Sequence, residues 1–124
     1  MLYLDGIIFS IQKFGGISTY FNELYKGLNN RAFENELIIY ETKLSFFNNN
    51  GNINTVKKRI FERYRNLDNL PPNSIVHSSY YRSSKHRNII TVYDFTYEKF
   101  GGGIAGIVHR QQKSNAIINS ELIL

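Results

Sequence analysis

The sequence predicts an α/β domain built on an open, mostly parallel sheet with flanking helices. Three observations carry that prediction. Short apolar, β-branched runs recur along the chain, as expected of strands buried on both faces. Segments with helical periodicity lie between them, the alternation that argues a parallel sheet. The chain has 124 residues and no cysteine, so one domain must be held by its core and not by disulfides.

The first run, Leu2 to Phe9, reads as a buried strand that bends or ends at Asp5-Gly6. After Gly15-Gly16, the residues Ile17, Tyr20, Phe21, Leu24, Tyr25 and Leu28 fall on one helical face. Ser18 or Thr19 is the predicted N-cap, and Asn29-Asn30 the stop. Glu36 to Thr42, with its "LIIY", is the second strand, and Ser45 to Asn54 a polar loop. A basic helix is expected over Thr55 to Asn66, with Val56, Ile60 and Tyr64 on its apolar face. Leu70-Pro71-Pro72-Asn73 ends it. "SIVHS", Ser74 to Ser78, and "NIITVYD", Asn88 to Asp94, are the third and fourth strands. Gly101-Gly102-Gly103 opens a helix over Ile104 to Asn119, with Ile104, Ile107, Val108, Ala116 and Ile117 as its apolar residues. Leu122, Ile123 and Leu124 look like a strand beginning. A terminus at such a point suggests truncation, a natural short last strand being the alternative.

Composition narrows the partners. The net charge is +5 and the pI about 9.5, which favours nucleic acid, acidic lipid head groups or phosphorylated small molecules. The basic residues cluster at Lys57, Lys58, Arg59, Arg63 and Arg65, and at Arg82, Lys85 and Arg87. Glu62 interrupts the first cluster, and Phe61 and Tyr64 fit the apolar side of the expected helix, so a solvated face is favoured over a nucleic-acid surface. The N-terminus lacks the basic region and cleavage site of a signal peptide. No run approaches the roughly 20 apolar residues that span a bilayer. A cytoplasmic protein, at most associated with the inner face of the cell membrane, is the expectation.

Four features are expected at the carboxyl ends of the strands, where open α/β sheets bind ligands. They are Gly15-Gly16, "HSSYYR" (His77 to Arg82), "YDFTYEKF" (Tyr93 to Phe100) and Gly101 to Gly103. The twin glycines before a helix are either a plain turn or a backbone cradle for an anion. Arg82 could grip phosphate or carboxylate with two parallel hydrogen bonds, or be a solvated surface residue. Asp94 could accept hydrogen bonds from sugar hydroxyls or a reacting proton, or simply cap a turn. Glu98 shares either role. No spacing of His, Cys, Asp and Glu suggests a metal, and no Ser-His-acid order can be assigned.

Taken together, "YLDGIIFSIQKFGGISTYFNEL", "VHSSYYR", "TVYDFTYEKF" and "VHRQQKSNAIINSELIL" resemble the N-terminal half of GT-B fold glycosyltransferases of the retaining family 4 type, common in bacterial surface-polysaccharide synthesis. The resemblance implies a Rossmann-like acceptor-side domain over residues 1–124, incomplete at its C-terminal end. It implies a sugar nucleotide as co-substrate, no further cofactor, and a glycan or lipid-linked acceptor. Gly15 and Gly16 would lie against the donor diphosphate. Ser78, Tyr81, Arg82 and Glu98 would be on the acceptor side, and Asp94 is the catalytic candidate. Tyr93 stands where many relatives carry a histidine, and a phenol does not replace an imidazole near neutral pH. With the second, donor-binding domain absent, the chain alone is expected to transfer no sugar. Two alternatives stay open: a small basic nucleic-acid-binding module, and a non-catalytic subunit paired with a separate chain that carries the second domain.

Overall fold

The computed structural model describes residues 1–12, 14–40, 51–93 and 103–124. Its centre is a six-stranded sheet of β1 (Leu2–Asp5), β2 (Asn35–Tyr40), β3 (Ile53–Val56), β4 (Ile75–Ser78), β5 (Arg87–Ile90) and β6 (Leu122–Ile123). The spatial order is β3-β2-β1-β4-β5-β6, and every neighbouring pair is parallel. The fold is thus the α/β, Rossmann-like open sheet that the strand and helix alternation predicts. The chain runs outward from β1 to β3, then returns to the other side of β1 to lay down β4. The switch point lies between β1 and β4, with Asp5 in register with Ser78.

Among the described residues three α-helices flank the sheet: α1 (Ile8–Ile11), α2 (Gly16–Asn30) and α3 (Gly103–Ile118). Side chains of β1 and β2 alternate between the faces, and both faces are covered, so almost every position is buried. On one face Leu4, Leu37 and Ile39 pack against Phe21 and Tyr25 of α2, with Ile8 and Phe9 of α1. On the other face Tyr3, Ile7, Ile38 and Tyr40 form a second cluster beneath Leu67, Leu70 and Tyr80. Phe21 has no solvent exposure, and burying such a ring stabilises by about 1.5–3 kcal/mol.

The carboxyl end of α2 closes as a Schellman motif. The Phe33 amide donates to Leu28 O at 3.0 Å and the Ala32 amide to Asn29 O at 3.0 Å, with Ala32 at φ 51°.

Several expectations shift. The first strand stops at Asp5, because Ile8 to Ile11 turn into a short helix and leave the sheet. The N-cap of α2 is Gly15, and Ser18 instead donates from its hydroxyl to the carbonyl of Gln12. The basic helix over Thr55 to Asn66 does not form. Ile53–Val56 pairs with β2, and only Glu62–Tyr64 makes one 3₁₀ turn after Phe61 in a left-handed conformation at φ 56°. Ile60 and Phe61 are left mostly exposed. Long-range pairing of the β-branched Thr55-Val56 edge outweighs local helix preference here.

The buried row of α3 also differs from the apolar one expected. It consists of Gly106, His109, Lys113 and Ala116, while Ile104, Ile107 and Val108 face outward. Aromatic rings explain this. His109 meets Tyr80 and Tyr81 edge-on, with centroids 5.9 and 5.7 Å away, and the Lys113 ammonium lies 5.3 Å over the Tyr81 ring.

Candidate functional site at the carboxyl edge of the sheet

Four strands deliver a polar side chain to one rim: Asp5 ends β1, Tyr40 ends β2, Ser78 ends β4, and Thr91 follows β5. Asp5 organises the floor. Its carboxylate accepts from the Ser78 hydroxyl at 3.1 Å, the Ile7 amide at 3.3 Å and Arg82 Nη1 at 3.0 Å. Arg82 also donates from Nη1 to Tyr40 Oη at 2.7 Å, from Nη2 to Glu62 Oε1 at 2.9 Å, and from Nε to the Arg65 carbonyl at 2.8 Å. Glu62 is in turn held by Arg59, which donates from Nε and Nη2 at 2.7 and 2.9 Å. Two carboxylates and two guanidiniums therefore form a chain of pairs, with Asp5, Arg82 and Glu62 all buried.

The electrostatics follow from this closure. Burial works against the charge on Arg82, yet Asp5, Tyr40 and Glu62 outweigh it and hold the guanidinium above its ordinary value. The hydrogen bond from Arg59 keeps the Glu62 carboxyl below its usual range despite burial. Burial pushes the Tyr40 phenol well up, so Tyr40 stays protonated and accepts from Arg82 through its hydroxyl oxygen. On the opposite face His77 lies against Phe21 with ring centroids 5.1 Å apart, and its Nε2 is 3.0 Å from Thr91 Oγ1. Burial lowers its pKa to about 4, so it is a neutral core histidine at pH 7.

Above the floor sits the opening of α2. Gly16 is exposed, its φ is not in the left-handed region, and a Cβ added there would meet nothing within 4 Å. Gly15 is extended at φ 161°, and the nearest atoms a Cβ on it would meet belong to the movable end of Gln12. Neither glycine is required by the turn itself. The first hydrogen bond of the helix runs from the Thr19 amide to Gly15 O at 2.9 Å, which leaves the amides of the opening turn outside the helical ladder. Gly15, at the N-cap, brings no side chain to cap them. Tyr20, one turn in, meets Tyr93 edge-on at 6.0 Å, which ties this helix end to the end of β5. Burial raises the Tyr93 phenol, so it can donate a hydrogen bond but not serve as a base near neutral pH.

The predicted site residues are thus brought together in part. Gly15 and Gly16 lie on the same carboxyl edge as Ser78 and Arg82. Ser78 and Arg82 sit in the buried layer beneath that edge. The Ser78 hydroxyl is shared between Asp5 and the amides of Tyr80 and Arg82. Arg82 is neither a solvated surface residue nor a grip offered to solvent, because its donors go to protein acceptors. Tyr81 is buried against Ile90 and Ala116, with its phenol oxygen 3.4 Å from the donating amide of Tyr93. Asp94 and Glu98 lie outside the described residues, as do the rest of "DFTYEKF" and Gly101-Gly102. Sequence reasoning missed Asp5, Tyr40 and Glu62. The available signals were an aspartate closing an apolar strand and a single acid inside a basic run. Among the described residues no group of three or more His, Cys, Asp and Glu could hold a metal ion, and no helix is long and apolar enough to cross a membrane.

Comparisons with protein-family models, with curated proteins and with solved structures find no match to this chain.

Proposed function

We propose that this chain is the acceptor-side, Rossmann-like half of a sugar-nucleotide-dependent glycosyltransferase, with the opening of α2 at the donor diphosphate. The observation that carries the reading is the exposed Gly16 at the opening of α2, which no packing among the described residues explains. Unladdered amides and the positive end of a long helix suit a pyrophosphate there, and glycine lets the phosphate approach the backbone. The motif resemblance points the same way. In this reading an acceptor hydroxyl attacks the anomeric carbon, the bond to the nucleoside diphosphate breaks, and the departing diphosphate gains negative charge next to those amides. The Asp5–Arg82–Glu62 chain holds the strand ends and the rim in one geometry. A second lobe completes the cleft, and the chain by itself turns over no sugar nucleotide, because transfer needs both substrates positioned together.

The test is titration of the isotope-labelled chain with UDP-glucose and with UDP, read by backbone amide shifts. Saturable shifts at Gly15 to Thr19, weakened in Gly16→Ala, are expected. The same substitution should raise stability by about 0.5 kcal/mol, because alanine restricts the unfolded chain. Unperturbed amides in that turn at millimolar nucleotide, or equal binding by the variant, would overturn the reading.

The nucleic-acid alternative has less support. Its basic helix is absent, Arg59 is committed to Glu62, and Arg63 stacks on Tyr64 at 4.5 Å. Lys57, Lys58 and Lys85 remain exposed and suit an anionic membrane surface or a lipid-linked diphosphate.

A further inference from the structure

The geometry points to a second binding site, for a neutral polyhydroxylated ring of monosaccharide size, on the flank of the sheet beside α3. The link between β4 and β5, residues 79–86, carries no helix. A cavity of about 390 Å³ opens there, between α3 and the stretches 64–66 and 81–83. Its volume lies in the range of small-molecule sites.

The lining selects the ligand. Ile107, Gln111 and Asn115 stand in one row of α3, Val108 and Gln112 in the next, with Tyr64 across from them. Gln111 Nε2 donates to Asn115 Oδ1 at 3.0 Å, which leaves the Gln111 carbonyl as an acceptor and the Asn115 amide as a donor. Gln112 spends its Nε2 on the Arg63 carbonyl at 2.7 Å, and its buried Oε1 has no hydrogen-bond partner. A hydroxyl both donates and accepts, so a polyol answers this mixed set. A cation would find no carboxylate among the described lining residues. Of the two lining arginines, Arg82 is neutralised by Asp5 and Glu62, while Arg65 keeps its charge, with its Nε donated to the Ile60 carbonyl, so the orthophosphate control decides whether the site takes an anion. Tyr64, Ile107 and Val108 are 45%, 58% and 43% exposed, an aromatic and aliphatic surface suited to the C–H face of a sugar ring. Tyr81, which also lines the cavity, holds a left-handed backbone at φ 41°, and strain of that kind in a non-glycine residue concentrates at ligand sites.

This inference does not rest on the proposed transferase role, and the two are read from different signals. The labelled chain is titrated with glucose, galactose and N-acetylglucosamine in turn, each to tens of millimolar, and with orthophosphate as the anionic control. Saturable shifts of the Gln111, Gln112 and Asn115 side-chain amides with at least one sugar, and none with orthophosphate, are expected. Asn115→Leu and Gln111→Leu, both at exposed positions, should each weaken that sugar at least tenfold with unchanged thermal unfolding. Silence of these signals with all three sugars, an equal response to orthophosphate, or full affinity in both folded variants would overturn the site.

Discussion

Arg82 is the residue on which the rim depends. It is buried among two carboxylates, a phenol and a backbone carbonyl, drawn from three stretches of chain at Asp5, Tyr40 and Glu62 to Arg65. Removing it leaves Asp5 buried without its cation, while Glu62 keeps Arg59 alone. Arg82→Met should therefore cost about 3–5 kcal/mol, measured by urea unfolding. Arg82→Lys should recover only part of that, because an ammonium lacks the planar fork that reaches Asp5 and Glu62 together. His77 has the opposite character. Its ring is buried neutral, with a pKa near 4 against an ordinary value of 6.5. Between those values the unfolded chain binds the proton and the folded chain does not, so stability falls as pH drops from about 6.5 to 4. The loss is about 3 kcal/mol by linkage. His77→Leu should flatten that part of the stability–pH curve, and an unchanged slope would show that another group titrates there.

At the scale of the element, α2 is the best-defined helix and has one identifiable weakness at each end. Its amino end is a glycine without a side-chain cap, which suits a ligand better than a free-standing helix. Its carboxyl end places Ala32 in the left-handed region, where glycine is the favoured residue. Ala32→Gly should raise stability by about 0.5–1 kcal/mol, the relief of the Cβ clash less the entropy cost of glycine, with no effect on the rim. Differential scanning calorimetry would read it as an upward shift in Tm, and a downward shift would mean that the turn tolerates alanine without strain. The periodicity of α2 was legible because Phe21 and Tyr25 repeat at helical spacing and both meet the sheet. The segment 57–66 was not legible. Its alternating basic and apolar residues suit a helix in isolation, but Glu62 is drawn inward by two arginines, one of them from the other half of the chain. The buried row of α3 was hidden for a related reason. It is defined by the rings of Tyr80 and Tyr81, not by hydrophobicity along the helix.

For the whole molecule, the sheet is well covered at its centre and open at one margin. Among the described residues β6 pairs with β5 alone, through the Glu121 and Leu124 amides at 2.8 Å each, and Leu122, Ile123 and Leu124 are about half exposed. An apolar edge strand of this kind is a template for further pairing. Ile123→Lys should reduce concentration-dependent light scattering while changing the urea midpoint little, since the side chain buries little surface. Undiminished scattering would locate the self-association elsewhere. The sequence by itself determined the α/β class, five of the six strands in outline and the course of α2; β3 fell where a loop and a basic helix were expected. These follow from β-branched runs and helical spacing, which are properties of a few adjacent residues. Only the tertiary structure decided the order of the strands, the loss of the basic helix, and the conversion of Arg82 from a surface grip into a buried link. Those outcomes depend on partners such as Asp5 and Arg82, 77 positions apart, and a contact energy between them exists only once the chain has folded.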